Sequence, residues 1–149
     1  MNDRRLGVRW ANFLLWNCLE HEKVKIKTFG RDDLIRLIIK IPNSLAAGYD
    51  IRSFEKNGNH KHIEVKTSVS RSKLINSSFH MTTNEWSAAN TLKDTYYVYR
   101  LMISKNEVSL FVICNPVGKY KDDFIDMTPR DGADISYSSR SGNWEKLLI

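Results

Sequence analysis

The sequence has little of the residues and patterns that mark several classes of protein. Cysteine occurs only twice, at Cys18 and Cys114, and the two form no Cys-x-x-Cys pair, which excludes a disulfide-rich scaffold and a zinc knuckle. Three prolines and seven glycines are too few for a collagen-like or low-complexity chain. No apolar run approaches the roughly 20 residues of a membrane span, and no signal-peptide pattern opens the sequence. We therefore expect a cytoplasmic protein without a membrane partner.

Other absences concern catalysis. The chain has no Gly-rich phosphate loop of the nucleotide-hydrolase type and no local motif for Ser-His-Asp or Cys-His chemistry. What is present is a moderate excess of basic residues, 23 Lys and Arg against 17 Asp and Glu, for a formal charge of +6. This balance favours a polyanionic partner, because cationic surfaces release counterions from phosphates. The 149 residues, 42% of them hydrophobic, predict one domain.

The N-terminal third contains a helix pattern and two less certain segments. Apolar residues at helical spacing predict a helix from about Leu6 to Glu22. The following VKIKTF, residues 24–29, alternates polar and apolar side chains in the manner of a strand. The segment DDLIRLIIKI, residues 32–41, fits either a strand or a helix capped by Asp, and both interpretations stay open.

The rest of the chain has the order expected of an α+β protein. Two strands are predicted over 49–55 and 60–68, and the Ser-, Arg- and Lys-rich residues 69–81 predict a mobile connection. TTNEWSAANTLKD predicts a helix opened by a capping box between Thr82 and Glu85. TYYVYRLMI and VSLFVIC predict an antiparallel hairpin whose second strand ends before Pro116.

From Val117 onward the periodicity is too weak to assign elements, although the terminal WEKLLI is suited to pack on the domain. The whole order predicts the α/β (α+β) class, with a central mixed sheet flanked by helices.

The turn around Asn57-Gly58 determines which side chains of the first hairpin share a face. If those two residues formed the whole turn, Asp50 would lie opposite Val65. Since side chains alternate across a strand, the acids of the two strands would then emerge from opposite faces of the sheet. That arrangement forms no site.

A three-residue loop, Lys56–Gly58 with Gly58 in the left-handed conformation, gives a different register. It places Asp50 opposite Glu64, and it pairs Ile51 with Ile63, apolar against apolar. The hydrophobic pattern therefore favours the register that brings the two acids together on one exposed face of the hairpin.

In this register Asp50, Glu64 and Lys66 form one cluster. Two carboxylates on neighbouring strands, with β-carbons roughly 5 Å apart, repel each other unless a cation lies between them. Mg²⁺ is suited to this place, since one or two carboxylates, waters and a substrate phosphate commonly complete its shell. Lys66 would then hold or deprotonate the attacking water and offset charge on the phosphate. The alternation by itself favours the competing interpretation, in which these charges are simply solvated on an edge hairpin.

The same residues resemble the PD-(D/E)XK nuclease superfamily, whose motif is an acid on one strand followed by Glu-x-Lys on the next. Asp50 and Glu64-Val65-Lys66 match it. More closely, GYDIRSFE, IEVKTS, TTNEWSAA and YYVYRLM are similar to the domain found at the C-terminus of plant NO VEIN proteins and in many bacterial restriction and phage-defence proteins. The resemblance covers about residues 7–116 and leaves 117–149 as an extension.

This resemblance implies a restriction-endonuclease-like fold and cleavage of phosphodiester bonds with Mg²⁺ or Mn²⁺. Asp50 and Glu64 correspond to the metal ligands, and Lys66 corresponds to the residue that positions water and stabilises the phosphate. We expect DNA as the substrate, in restriction or phage defence. A homodimer or a larger defence complex is implied, because one site cuts one strand.

One position departs from the family pattern. The family usually has an Ala-Glu pair in the first helix, and here the aligned pair is Ala11-Asn12, so Asn12 brings a carbonyl oxygen but no charge. Either Glu20 or Glu22 substitutes for that acid, or Asp50 and Glu64 hold the metal alone, or the activity has weakened. Glu85 is equally suited to its capping role and to a role near the metal.

Further basic and aromatic residues are weaker candidates. Arg52, Arg71 and Lys73 are suited to phosphate contacts, with solvated charge as the equal alternative for the two loop residues. His60-x-His62 is interpreted as an exposed strand pair rather than a metal site. The tyrosines of TYYVYRLMI, Tyr96, Tyr97 and Tyr99, are interpreted as packing residues rather than base-stacking platforms.

The sequence thus predicts an Mg²⁺-dependent endonuclease with Asp50, Glu64 and Lys66 as its catalytic residues. The alternative is a catalytically inactive form of the domain that binds nucleic acid or docks a protein. Loss of the first-helix acid at Asn12 favours that alternative.

Overall fold

The computed structural model describes residues 4–69, 77–104 and 107–148, with side chains from residue 12 onward. The helices are α1 (Arg4–Thr28), α2 (Asp32–Ile35), α3 (Thr83–Leu92) and α4 (Pro116–Lys121). The strands are β1 (Ile39–Lys40), β2 (Ile51–Phe54), β3 (His60–Val69), β4 (Ser78–Thr82), β5 (Tyr96–Ser104), β6 (Glu107–Cys114), β7 (Ile125–Pro129), β8 (Gly132–Tyr137) and β9 (Asn143–Glu145). Short 3-10 turns cover Asn43–Leu45, Lys93–Thr95 and Ser139–Ser141.

A six-stranded sheet with the order β1-β2-β3-β5-β6-β9 forms the centre of the fold. Strands β3 and β5 are parallel, whereas the other neighbours are antiparallel, so the sheet is mixed. A second sheet has the order β4-β8-β7. The predicted α+β class with a central mixed sheet and flanking helices is confirmed.

The central sheet is covered on both faces, and β5 shows this most clearly. Tyr99 and Leu101 point to one core, which contains the buried residues of α1 and α2. Val98 and Met102 point to the other core, which is completed by α3, α4 and the second sheet. Because both faces are buried, β5 reads as a nearly continuous apolar run rather than a clean alternation.

The register of the β2–β3 hairpin is the one that the apolar pattern predicts. Ile51 pairs with Ile63, and both side chains are fully buried. The loop has three residues, since the Glu55 amide donates to the Asn59 carbonyl at 2.8 Å and Gly58 has φ of 90°. A left-handed residue at this position is what a three-residue hairpin loop requires.

The surroundings of the hairpin differ from the sequence expectation. The β2–β3 pair is not an edge of the sheet, because β1 flanks β2 and β5 flanks β3. The face with the acidic residues is not solvated either, since Glu64 is only 3% exposed. The sequence could not show this, because the elements that cover the face come from distant parts of the chain.

The first helix is longer than predicted, and the strand predicted over VKIKTF is wrong. Helix α1 continues to Thr28, and Ile26 is buried at helical spacing from Cys18 and Leu14. Alternation over six residues cannot distinguish the two structures when a single apolar side chain, Ile26, belongs to the buried face. The helix ends where Gly30 adopts φ of 74°.

Residues 32–41 contain both structures that the sequence left open, since α2 is followed by the two-residue β1. Of the predicted connection 69–81, residues 70–76 lie outside the described residues, and Ser78–Thr82 forms β4 rather than a loop. The unassigned extension supplies α4, β7, β8 and β9, and Leu147 packs against the first core. The helix opened by Thr82, the strands of the β5–β6 hairpin and the end of β6 before Pro116 are confirmed.

Within the described residues, no helix has both the length and the apolar composition to span a membrane.

Candidate active site

Asp50 lies at the start of β2, where backbone and side-chain hydrogen bonds fix it. Its amide donates to the Ile63 carbonyl at 2.8 Å, and its carbonyl accepts from Ile41 at 2.8 Å. Its Oδ2 accepts from the Val65 amide at 2.8 Å. The carboxylate is therefore held against β3, beside Glu64.

Glu64 lies in the middle of the sheet and points into the second face, toward α3. Its side chain is 4% exposed and contacts the carboxyl groups of Asp50 and Glu85. Burial, followed by repulsion from Asp50 and contact with Glu85, raises the pKa of Glu64 to about 11. Without a cation, this carboxyl group is therefore held protonated.

Lys66 is two residues after Glu64 and points to the same face. Its Nζ donates to Glu85 Oε1 at 2.7 Å and lies 3.9 Å from Glu64 Oε2. The side chain is 19% exposed, so it reaches the solvent while Glu64 does not. Lys66 therefore lies at the mouth of the acidic cluster formed by Asp50, Glu64 and Glu85.

Glu85 has the predicted capping role, and its side chain also lies in the acidic cluster. It completes a capping box with Thr82, whose hydroxyl accepts from the Glu85 amide while Glu85 Oε1 accepts from the Thr82 amide at 2.8 Å. The same Oε1 accepts from Lys66. Burial acts to raise the pKa of Glu85, but the hydrogen bonds from Glu64, Lys66 and the Thr82 amide outweigh it and lower that pKa.

A cleft of about 140 Å³ opens beside the acidic cluster, between the loop 42–50 and the start of α3. Gly48 closes the loop against the helix: its φ is +82°, and an added Cβ would lie 2.7 Å from Ala88 Cβ and 2.8 Å from the Asn84 carbonyl oxygen. Asn84 Nδ2 donates to the Ala46 carbonyl at 2.7 Å, and the Tyr96 hydroxyl donates to the Gly48 carbonyl at 2.8 Å. These contacts hold the cleft open next to Asp50 and Glu64.

The sequence interpretation did not assign this supporting role to Gly48, Asn84 or Tyr96. A signal was present for Gly48, because a glycine directly before a motif strand often marks close backbone approach. No local signal distinguishes Asn84, whose partner lies in a loop 38 positions earlier in the chain. Tyr96 is fully buried, which agrees with its interpretation as a packing residue.

The candidate acids of α1 lie elsewhere. Asn12 is exposed, and Glu20 forms an ion pair with Lys23 on the helix surface at 3.6 Å. Glu22 is buried on the opposite face of the sheet, where Lys61 and Tyr99 donate to it at 2.9 and 2.6 Å. The described contacts therefore bring Glu85 of α3, rather than an acid of α1, to Asp50 and Glu64.

The weaker candidates occupy several different places in the fold. Arg52 is half-buried on β2, one of the two strands of the motif, and His62 pairs with Thr95 through Nδ1 at 3.1 Å. Tyr99 is fully buried and Tyr97 is partly buried, in agreement with packing roles. Arg71 and Lys73 lie outside the described residues, so their phosphate contacts stay a prediction.

The donor set has the chemistry that a hard cation requires. Three carboxyl groups lie near one ammonium group, and burial and the neighbouring carboxyl groups raise the pKa of Glu64 to about 11. Within the described residues, no group of three or more His, Cys, Asp or Glu side chains is arranged so that it could hold a metal ion. Mg²⁺ does not need such a cage, because it keeps several waters and uses one or two carboxylates.

The chain matches a known protein family. Residues 19–113 match the family described as Protein NO VEIN, C-terminal, and this range contains Asp50, Glu64, Lys66 and Glu85. No curated protein and no solved structure matches the chain significantly. Because the family match covers more than half of the chain, the protein belongs to the NO VEIN C-terminal domain family.

Proposed function

We propose that the protein is a metal-dependent nuclease of the PD-(D/E)XK type that hydrolyses phosphodiester bonds of DNA, acting in the cytoplasm in restriction or phage defence. The observation that carries this proposal is the register of the β2–β3 hairpin, which puts Asp50 and Glu64 side by side. Had the two side chains emerged from opposite faces, the motif would have had no chemical meaning. Membership of the NO VEIN C-terminal family is compatible with the proposal.

Asp50 and Glu64 are the residues that would hold Mg²⁺ or Mn²⁺, and Glu85 would act beside them by holding Lys66. When bound, the ion supplies charge neutralisation at the phosphate and a more acidic bound water. Glu64 is the residue that responds most strongly to a cation, because burial and the neighbouring carboxylates otherwise keep it protonated.

Lys66 is the residue of this chain that acts directly at the reacting phosphate. Its ammonium group is held by Glu85 at 2.7 Å, so it is oriented before the substrate arrives. Hydrolysis needs a water oxygen to attack phosphorus while one P–O ester bond breaks and the leaving oxygen takes up a proton. Lys66 positions that water and stabilises the charge that develops on the phosphate oxygens.

The direct test is a cleavage assay with purified protein on plasmid, linear duplex, single-stranded DNA and RNA. Each substrate is incubated with Mg²⁺, Mn²⁺ or a chelator. Metal-dependent cutting is expected in the wild type, with a loss of roughly a thousandfold in Lys66→Ala because its charge contacts the transition state. Glu64→Gln should lose cutting by a similar factor.

Matched controls come from exposed residues of the same types. Asp33→Asn and Lys56→Ala remove a carboxylate and an ammonium group from exposed positions, and both variants should cut like the wild type. If Lys66→Ala and Glu64→Gln cut at the wild-type rate, the assigned site is wrong.

A single active site cleaves a single strand of a duplex. Cleavage of both strands of a duplex therefore implies either two copies of the chain or a partner protein. The cut products on nicked and intact plasmid distinguish these modes from single-strand nicking.

A second function is favoured by the position of α1. Since the described contacts of Glu20 and Glu22 are with other residues, the domain would also suit a role as an inactive module that binds nucleic acid or a protein. Calorimetry with Mg²⁺ separates the two functions. An inactive module need not bind the ion, whereas the nuclease must, and its binding must disappear in Glu64→Gln.

A further inference from the structure

A buried arginine that has no acidic partner among the described residues lies one strand away from Lys66. Arg100 is in β5 and is the parallel-register neighbour of Lys66 in β3, so their Cα atoms are on adjacent strands spaced about 4.8 Å apart. Its side chain points to the same face as Val98 and Met102, beneath the second sheet. The residue is only 2% exposed.

The polar partners of the Arg100 guanidinium are neutral. Nε donates to the Tyr137 hydroxyl and Nη2 donates to the Ser68 hydroxyl, each at 3.2 Å. The guanidinium also lies 5.3 Å from the centroid of the Phe79 ring. Among the described residues, no Asp or Glu forms an ion pair with it.

This environment is unusual for a buried cation. Buried charges are normally paired, because an uncompensated charge in the interior costs several kcal/mol. The buried Lys61 follows the rule, since its Nζ lies 2.9 Å from Glu22 Oε1. The hydroxyls and the aromatic ring orient Arg100, but they leave its charge without an anion.

The neighbours of Arg100 indicate where an anion would enter. Glu64, Lys66 and Ser68 alternate along β3 and point to one face, and this row reaches solvent at Lys66 and at the half-exposed Ser68. The hydroxyl oxygens of Tyr137 and Ser68 accept hydrogen bonds from Nε and Nη2 of the planar guanidinium group. Two phosphate oxygens can accept hydrogen bonds from the same two nitrogens. Exchanging neutral acceptors for phosphate oxygens replaces ordinary hydrogen bonds by charge-assisted, bidentate ones.

We propose that Arg100 binds a phosphate group of the nucleic-acid backbone next to the one cleaved at Lys66, and so fixes the position of the strand beside Lys66. The class of ligand rests on the proposed nuclease function, whereas the need for an anion rests on the burial and contacts of Arg100 alone. Arg100 is a substrate-positioning residue, and the chemistry at phosphorus stays with Asp50, Glu64 and Lys66.

The first experiment measures binding without cleavage. Fluorescence anisotropy with a short single-stranded DNA, in chelator, compares the wild type with Arg100→Gln, Arg100→Lys and the control Arg31→Gln, whose side chain is half-exposed and paired with Asp33. Arg100→Gln should weaken binding about tenfold and make it less dependent on salt. Arg100→Lys should be intermediate, because it keeps the charge and loses the fork, and Arg31→Gln should bind like the wild type.

Stability distinguishes a ligand-binding arginine from a structural one. A ligand-binding Arg100 lacks its anion in the free protein, so Arg100→Met should unfold at the same temperature as the wild type or higher. A lower unfolding temperature in Arg100→Met, together with unchanged DNA binding in Arg100→Gln, would overturn the proposal.

A second measurement uses the wild type and does not depend on whether the variants fold. The side-chain Nε–H signal of Arg100 in ¹⁵N NMR, assigned by its loss in Arg100→Lys, is followed during titration with inorganic phosphate and then with the DNA. The signal should shift with both. A signal that responds to neither would remove the phosphate site.

Two further comparisons complete the test. The first identifies which kind of phosphate group Arg100 binds, and the second separates a failure of the phosphate site from a failure of the proposed nuclease function. DNA with and without a 5′-phosphate should bind Arg100 equally if the ligand is an internal phosphodiester, and selective binding of the phosphorylated strand would overturn that assignment in favour of a terminal group. If the Arg100 signal shifts but no metal-dependent cutting occurs, the nuclease proposal fails and the phosphate site stands. If cutting is normal in Arg100→Gln with unchanged KM, the nuclease proposal stands and the phosphate site fails.

Discussion

The two faces of the central sheet both bury charged residues, but they balance those charges differently. On the α1 face, Glu22 receives hydrogen bonds from Lys61 and Tyr99, and His21 and Lys25 contact Glu145. On the α3 face, Glu64 and Glu85 share one ammonium group, that of Lys66, and Asp50 lies beside Glu64.

The pKa values follow this difference. Burial acts to raise the pKa of Glu22, yet the charge of Lys61 and the hydrogen bonds from Tyr99 and Lys61 outweigh it and the net pKa is lowered. For Glu64, burial and the neighbouring carboxylates act in the same direction and raise the pKa to about 11. The first pair is complete within the chain, whereas the acidic cluster has one described ammonium contact, from Lys66, to two of its carboxyl groups. The acidic cluster is therefore the place where the proposed nuclease function puts a cation.

The largest stability effect is expected from breaking the complete pair. Lys61→Met leaves Glu22 buried with only the Tyr99 hydroxyl as a strong donor, and should lower the free energy of unfolding by roughly 3–5 kcal/mol. Urea denaturation at pH 7 measures this. The double variant Glu22→Gln with Lys61→Met keeps an acceptor for Tyr99 without the charge, and should recover part of the loss. Equal instability of the single and double variants would contradict a charge effect.

The next effect concerns β9, which contacts α1 through Glu145. Hydrogen bonds from His21, then from Lys25, against an opposing effect of burial, lower the pKa of Glu145 from 4.5 to about 2. A lowered folded pKa contributes stability above the unfolded value, and that contribution disappears as the pH falls from about 4.5 to about 2.

Glu145→Gln should therefore be less stable than the wild type by about 2 kcal/mol at pH 6. The difference should shrink as the pH falls and should vanish near pH 2. Denaturation curves of both proteins across this pH range test the prediction, and a gap that stays constant with pH would contradict it.

The hairpin and its site were predictable from the sequence because their signals are local. The loop length, the Ile51–Ile63 pairing and the alternation of β3 together determine one register. The capping box of Thr82 and Glu85 is likewise contained in four consecutive residues. These features depend on backbone geometry within a short stretch, so distant contacts do not override them.

The rest of the fold was not predicted from the sequence because it depends on contacts between distant segments. The second sheet pairs β4 with β8, 50 to 58 positions later in the chain, and the Ser-rich composition around β4 gave no indication of this pairing. Lys61 was a missed signal: it alternates with Ile63 and Val65 on an apolar face, so a buried acidic partner could have been expected. Arg100, which lies between Tyr99 and Leu101 in an apolar strand, was a second missed signal.

On the α3 face, addition of a cation should stabilise the protein. Mg²⁺ at ten times its Kd should raise the free energy of unfolding of the wild type by about 1.4 kcal/mol, because it binds only the folded state. Glu64→Gln should show no such increase, whereas the control Asp33→Asn should respond like the wild type. Urea curves in Mg²⁺ and in chelator measure the effect, and an equal response of Glu64→Gln would place the ion elsewhere.

The smallest expected effect compares the two buried glutamates directly. Without metal, Glu64→Gln replaces a protonated carboxyl group by an amide of the same shape, so the free energy of unfolding should change by less than about 1 kcal/mol. Glu22→Gln removes the charge that balances Lys61 and should cost about 2–3 kcal/mol, because the buried ammonium group is left without its anion. The two substitutions are chemically identical and both sites are almost fully buried, so any difference between them comes from the charges around each carboxyl group. A cost at Glu64 as large as that at Glu22 would show that the acidic cluster is already balanced within the chain, and the argument for a bound cation would then fail.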